Sequence, residues 1–137
     1  MIKVIALDIY GTVLATDDAD NELPPRRGLE KFFRKCKKKR IAIVSSSDAP
    51  IETLKIDLQS SGVNLCAFDR FYCLNQLPRK DFSIIIRDYG IKPRELLVIG
   101  DNREKDILGA VEHGACCLRC PEYRRHLDDF DFSKIGI

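Results

Sequence analysis

Short, continuous hydrophobic runs alternate along this chain with longer charged stretches, and no other feature limits its fold so strongly. The runs at residues 2–7, 41–45, 67–73, 96–100 and 115–119 are predicted strands. A run such as Ile41-Ala42-Ile43-Val44 suits a strand covered on both faces. Between the runs, residues 26–39, 49–61, 80–89 and 104–113 are predicted helices. In the second of these, Ile51, Leu54, Ile56 and Leu58 fall at helical spacing before Gly62. Strands separated by helices form βαβ units, so the expected class is α/β with a parallel sheet. The tail beyond Cys120 is expected to be one short helix plus coil.

That architecture gives meaning to the acids that end two of the runs. Asp8 closes the first run and is followed by Ile9-Tyr10-Gly11-Thr12. Asp101 closes the fourth, and Asp106 stands in the first turn of the helix predicted after it. Carboxylates at the ends of parallel strands converge at one sheet edge, where α/β proteins place their chemistry. Asp8, Asp101 and Asp106 together make a hard-oxygen site suited to Mg²⁺, which takes few carboxylates and keeps several waters. A carboxylate can also act as a nucleophile and split one difficult displacement into two easier ones. Gly11 suits the tight turn after Asp8, and the Thr12 hydroxyl can brace it.

Two further elements belong to the same edge. Ser45-Ser46-Ser47-Asp48 ends the second run, where a hydroxyl and backbone N–H groups can hold a phosphoryl oxygen; Ser45 is the best placed of the three. The same cluster would equally cap the following helix. Arg79-Lys80 precedes the third helix, and a cation there can balance the nucleophile and a transferring phosphoryl group. Lys80 is the first choice and Arg79 its rival.

Composition excludes several classes. With 137 residues the chain fits one domain over residues 1–137. No apolar run approaches the roughly 20 residues of a membrane span, and no secretory signal is visible, so a cytoplasmic location is expected. A net charge of +2 argues against a nucleic-acid partner. The basic run at residues 34–40 reads as the solvated end of a helix. The six cysteines read as free, mostly buried thiols rather than a disulfide framework. Cys116-Cys117-Leu118-Arg119-Cys120 lacks the second cluster that structural zinc requires. Residues 13–25 suggest a short flap hairpin over Asp8, and their acids lack the spacing of a Ca²⁺ loop.

The ordered set Asp8-Ile9-Tyr10-Gly11-Thr12, Ser45, Lys80 and Gly100-Asp101-x4-Asp106-Ile107-x-Gly109-Ala110 resembles the haloacid dehalogenase superfamily of hydrolases over about residues 2–119. The resemblance implies a three-layer, Rossmann-like fold with a five-stranded parallel sheet in the order 5-4-1-2-3. It implies Asp8 as nucleophile, and Mg²⁺ held by Asp8, the Tyr10 backbone carbonyl and Asp101, with Asp106 in support. It assigns phosphoryl binding to Ser45, with Ser46, Gly11 and Thr12 beside it, and charge balance to Lys80. The substrate implied is a phosphorylated small molecule or macromolecule.

Two departures from the family pattern shape the expected activity. Family phosphatases usually carry a second aspartate two residues after the nucleophile as general acid/base; here that residue is Tyr10. A phenol is a poor base at neutral pH, and losing such a group costs roughly 10²–10⁴ in rate, so slow turnover is expected. Only 36 residues separate Asp8 from Ser45 and 34 separate Ser45 from Lys80, which leaves no space for a cap domain. An uncapped site suits a macromolecular substrate or closure by a homo-oligomer. Two alternatives follow: a non-catalytic module that binds a phosphorylated ligand or a partner protein, and a metal-free dehalogenase-like hydrolase suggested by Asp-x-Tyr-Gly-Thr. The retained Asp101 motif argues against the latter.

Overall fold

A computed structural model describes residues 1–17, 23–125 and 128–137. Five parallel strands, β1 (Val4–Leu7), β2 (Ala42–Ser45), β3 (Arg70–Phe71), β4 (Leu96–Gly100) and β5 (Cys116–Arg119), lie in the order β3-β2-β1-β4-β5. This is the expected topology, read from the opposite edge. Helices α1 (Leu29–Lys38), α2 (Ile51–Ser60), α3 (Ser83–Tyr89) and α4 (Leu108–Glu112) supply the crossovers.

Alternation along β1 builds two cores. Ile5 and Leu7 pack with Leu29, Phe32 and Cys36 of α1 and with Leu54 and Leu58 of α2. Val4 and Ala6 face the other way, toward Phe82, Ile85 and Ala110. Successive strand residues point to opposite faces, so a central strand must be apolar throughout, as β1 is.

Several elements differ from expectation. β3 is two residues long rather than seven: a 3₁₀ turn at Leu65–Ala67 takes up the start of the expected run, and β3 ends at Phe71. The third helix begins at Ser83 rather than residue 80: the Asp81 carboxylate accepts the Ser83 N–H at 3.0 Å, an Asx turn that precedes the helix. No strand forms in the described part of residues 13–25. The chain makes a tight turn with one bridge between Tyr10 and Leu14, and Val13, Leu14 and Ala15 are buried. The remainder of the expected flap, residues 18–22, lies outside the described residues. The cysteines are free, but Cys66, Cys116 and Cys117 are exposed and only Cys36 and Cys120 are buried. Edge strand β5 has little cover on its outer positions, so its thiols meet solvent.

Among the described residues beyond Cys120 the regular structure is a 3₁₀ turn at Phe132–Lys134, which packs on the α1 side. Phe132 packs on Phe32 at 5.3 Å between ring centres, and its N–H donates to the Arg27 carbonyl at 2.8 Å. Arg26, fully buried, pairs with Asp128 at 2.7 Å and lies over the rings of Phe130 and Tyr123.

Candidate active site

Strand register sets the edge on which the site is built. Leu7 pairs with Ser45 on one side and with Ile99 on the other, so the residues that follow these three emerge together. The Asp8 N–H donates to the Ile99 carbonyl at 2.9 Å, and the Ser46 N–H to the Leu7 carbonyl at 3.0 Å. β1 is the switch point of the sheet, with its neighbours' crossovers departing in opposite directions.

Lys80 organises the centre. Its Nζ donates to Asp8 Oδ1 at 3.0 Å and to Asp106 Oδ1 at 2.6 Å, and the residue is 2% exposed. Burial works against its charge, but the attraction of Asp8 and Asp106 outweighs it and raises its pKa. Arg79 turns outward to Glu112 and Glu104, so the geometry places Lys80, not its rival, at the site. The start of α3 at Ser83 is what leaves Lys80 free to turn inward.

Thr12 braces the acids, its hydroxyl lying 3.2 Å from both Asp8 Oδ2 and Asp101 Oδ1. Gly11, at φ +85°, makes room: a Cβ there would lie 2.6 Å from Asp101 Oδ2. Gly100 is held by a similar approach, since a Cβ would meet Asp106 Oδ2 at 2.4 Å. Asp106 sits in a π-helical turn, Arg103–Ile107, whose wider coil turns its carboxylate back toward Lys80 and the Asn102 N–H.

Asp8, Asp101 and Asp106 each offer an oxygen, and these oxygens all lie within 4.8 Å of one another. Three carboxylates against one lysine leave an excess of negative charge. Burial, and then Asp8, push the Asp101 carboxyl up to about 7; burial and Asp8 likewise push Asp106 up to about 6, with Lys80 opposing. A hard oxygen set with uncompensated negative charge fits a divalent cation of the Mg²⁺ type.

The three serines divide. Ser45 is fully buried, and its hydroxyl bonds with the Tyr72 backbone, accepting the N–H at 3.1 Å, so it does not reach the cavity. Ser46 lies alongside Asp8 with a buried hydroxyl that bonds to no protein group. Ser47 lines the cavity. The Tyr10 hydroxyl donates to Asp57 of α2; burial, reinforced by Asp57, raises its pKa well above the phenol range.

These groups surround a cavity of about 240 Å³ lined also by Thr16, Asp48, Asn102, Lys105 and Glu122. At its rim Lys105 Nζ pairs with Asp48 at 2.7 Å, and that bond, more than any other contact, lowers the Asp48 pKa. A second cavity of about 460 Å³ shares Asp101, Asn102 and Glu122 with the first and adds Arg103 and Arg119. Sequence reasoning did not single out Lys105 or Glu122. Glu122 lies beyond Cys120 and Pro121 after β5, whereas Asp8 and Asp101 directly follow their strands, so the strand-end pattern does not mark it.

The sequence profile described as haloacid dehalogenase-like hydrolase matches residues 15–114. No curated protein matches the chain by sequence. Among solved structures, an uncharacterized protein from Listeria monocytogenes serotype 4b is similar at 22% identity and TM-score 0.67, covering 99% of this chain and 86% of that one. A predicted phosphoglycolate phosphatase from Haemophilus somnus is similar at 14% identity and TM-score 0.70, covering 96% and 95%. CbbY from Rhodobacter sphaeroides, in complex with xylulose-(1,5)bisphosphate, is similar at 13% identity and TM-score 0.77, covering 99% and 97%. At these identities the likeness is one of fold.

Proposed function

The chain belongs to the haloacid dehalogenase-like hydrolases, and from that premise we propose that it is a Mg²⁺-dependent phosphatase acting on a phosphate ester. The observation that carries this reading is Lys80, buried and bonded at once to Asp8 and Asp106, with Asp101 completing the acidic set. Asp8, Asp101 and the Tyr10 backbone carbonyl would hold the metal, with Asp106 anchoring Lys80. When bound, Mg²⁺ supplies positive charge to the phosphoryl oxygens.

Asp8 is the nucleophile: a carboxylate oxygen attacks phosphorus in line, giving an aspartyl-phosphate that water then hydrolyses. Lys80 offsets charge on the nucleophile and the transferring group. Ser46 and Ser47, rather than Ser45, are the hydroxyls available to a phosphoryl oxygen. With no cap domain among the described residues, the site accepts a phosphorylated small molecule or a phosphate exposed on a macromolecule, and a homo-oligomer is one way to enclose it. Hydrolysis of p-nitrophenyl phosphate, measured with and without Mg²⁺ and beside Asp8→Asn, tests the reading. Equal rates in all three would sink it.

A second reading, a non-catalytic module that binds a phosphorylated ligand, is favoured by the engagement of the Tyr10 hydroxyl with Asp57. It predicts no native turnover, and activity gained in Tyr10→Asp.

A further inference from the structure

The phosphatase reading leaves one chemical role unfilled, because the residue two positions after Asp8 is a tyrosine whose hydroxyl is turned to Asp57. Water must lose a proton as it attacks the aspartyl-phosphate, and a base has to stand near it. Among the described residues lining the catalytic cavity, two carboxylates lie outside the Asp8–Asp101–Asp106 set: Asp48 and Glu122.

Asp48 is held by Lys105, whose hydrogen bond lowers its basicity. Glu122 is placed differently. It stands where the two cavities meet, on the segment leaving the C-terminal end of β5. Its neighbour Tyr123 is tied into the loop after the nucleophile: the Tyr123 N–H donates to the Gly11 carbonyl at 2.7 Å, and the Thr16 N–H donates to the Tyr123 carbonyl at 3.1 Å. The Thr16 hydroxyl donates to Glu122 Oε1 at 3.3 Å, and Thr16 lies against Gly11, which abuts Asp101. Glu122 is therefore tied to the loop that follows Asp8. Its remaining partner, Arg124 at 2.7 Å, has a side chain 66% exposed, and such a solvent-screened pair is easily exchanged.

We propose that Glu122 is the general base of the second half-reaction, supplying from the far edge of the sheet the carboxylate that Tyr10 lacks. This rests on the phosphatase reading. In the first step Asp8 Oδ bonds to phosphorus and the ester P–O bond breaks; the departing alkoxide takes a proton from water at the open mouth, leaving hydroxide. In the second step a water oxygen bonds to phosphorus, its proton passes to a Glu122 carboxylate oxygen, and the P–Oδ bond breaks to restore Asp8. Glu122 then releases that proton, which neutralises the hydroxide. The sum is ester plus water giving alcohol plus inorganic phosphate.

The test uses p-nitrophenyl phosphate, whose leaving group needs no proton, so the second step stands alone. Rapid-quench kinetics with Mg²⁺ and intact-protein mass spectrometry compare the native chain, Glu122→Gln and Asp48→Asn. Glu122→Gln should keep the burst of p-nitrophenolate, accumulate the phosphorylated protein and slow its hydrolysis by about 10²-fold. Glu122→Asp, which keeps a carboxylate, should recover part of that loss. Equal lifetimes in native protein and Glu122→Gln, or a longer lifetime only in Asp48→Asn, would overturn the role of Glu122 and leave the phosphatase reading intact. A native chain that forms no phosphorylated species would overturn both.

Discussion

Two buried cations, Lys80 and Arg26, sit within one small fold and serve opposite ends. The side chain of Arg26 is wholly inaccessible, and it has one carboxylate partner, Asp128, one carbonyl, that of Thr12, and two aromatic rings. Its charge is matched and its donors are used. Lys80 is nearly as sealed, yet it bonds two carboxylates while a third completes the cluster around them. A balanced buried pair holds a loop and a tail in one arrangement; an unbalanced one stores repulsion that a ligand of opposite charge relieves. The first is a fastening and the second a site.

The largest way to break this contrast is at the acidic side of the unbalanced cluster. Asp8→Asn should reduce p-nitrophenyl phosphate turnover on the order of 10⁴-fold or more, as loss of a covalent nucleophile does. Because it removes one of three mutually repelling carboxylates, the same change should raise the metal-free thermal midpoint; a fall would mean that Asp8 is primarily structural. Lys80→Met should cost about 10²–10³ in kcat, whereas Arg79→Ala should leave kcat unchanged. Reversal of that order in steady-state kinetics would return the catalytic cation to Arg79.

Arg26→Met tests the balanced pair and should destabilise by about 3 kcal/mol, because Asp128 loses its partner in a largely buried setting. An unfolding free energy from urea titration within about 0.5 kcal/mol of native would show that the rings carry that region without the charge.

Acidity gives a subtler separation. Burial first, and Asp8 second, push Asp101 up to about 7 and Asp106 up to about 6. Between pH about 4 and 7 the native state therefore binds more protons than the unfolded chain. The stability this brings is present below the unfolded carboxylate range and is lost as pH rises through the folded values. Mg²⁺ competes with those protons, so the midpoint shift it produces should be larger at pH 8 than at pH 5. Equal shifts in thermal scans at both would place the metal elsewhere.

Much of this was legible in the sequence because it depends on local pattern. Continuous apolar runs marked the strands, and acids at their ends marked Asp8 and Asp101, since register in a parallel sheet brings such residues together. The π turn did not disturb Asp106, whose spacing still returns it to the edge. Ser45 misled because its hydroxyl is claimed by the Tyr72 backbone, a pairing across β2 and β3 that no local pattern shows. Arg26 and Asp128 stand 102 positions apart, and Glu122 reaches Thr16 across 106, so both features depend on where the tail folds back. The exposed thiols of β5 followed from edge position, which hydrophobicity alone does not reveal.

The bond from the Tyr123 N–H to the Gly11 carbonyl carries a consequence for how the molecule comes into being. A ribosome delivers the nucleophile's loop early and the residue that holds it more than a hundred positions later. Until that segment arrives, the loop after Asp8 keeps only nearer bonds, such as that from the Gly11 N–H to the Leu14 carbonyl at 2.7 Å. On the phosphatase reading, the surroundings of Asp8 are therefore completed only after the segment at Tyr123 has been made.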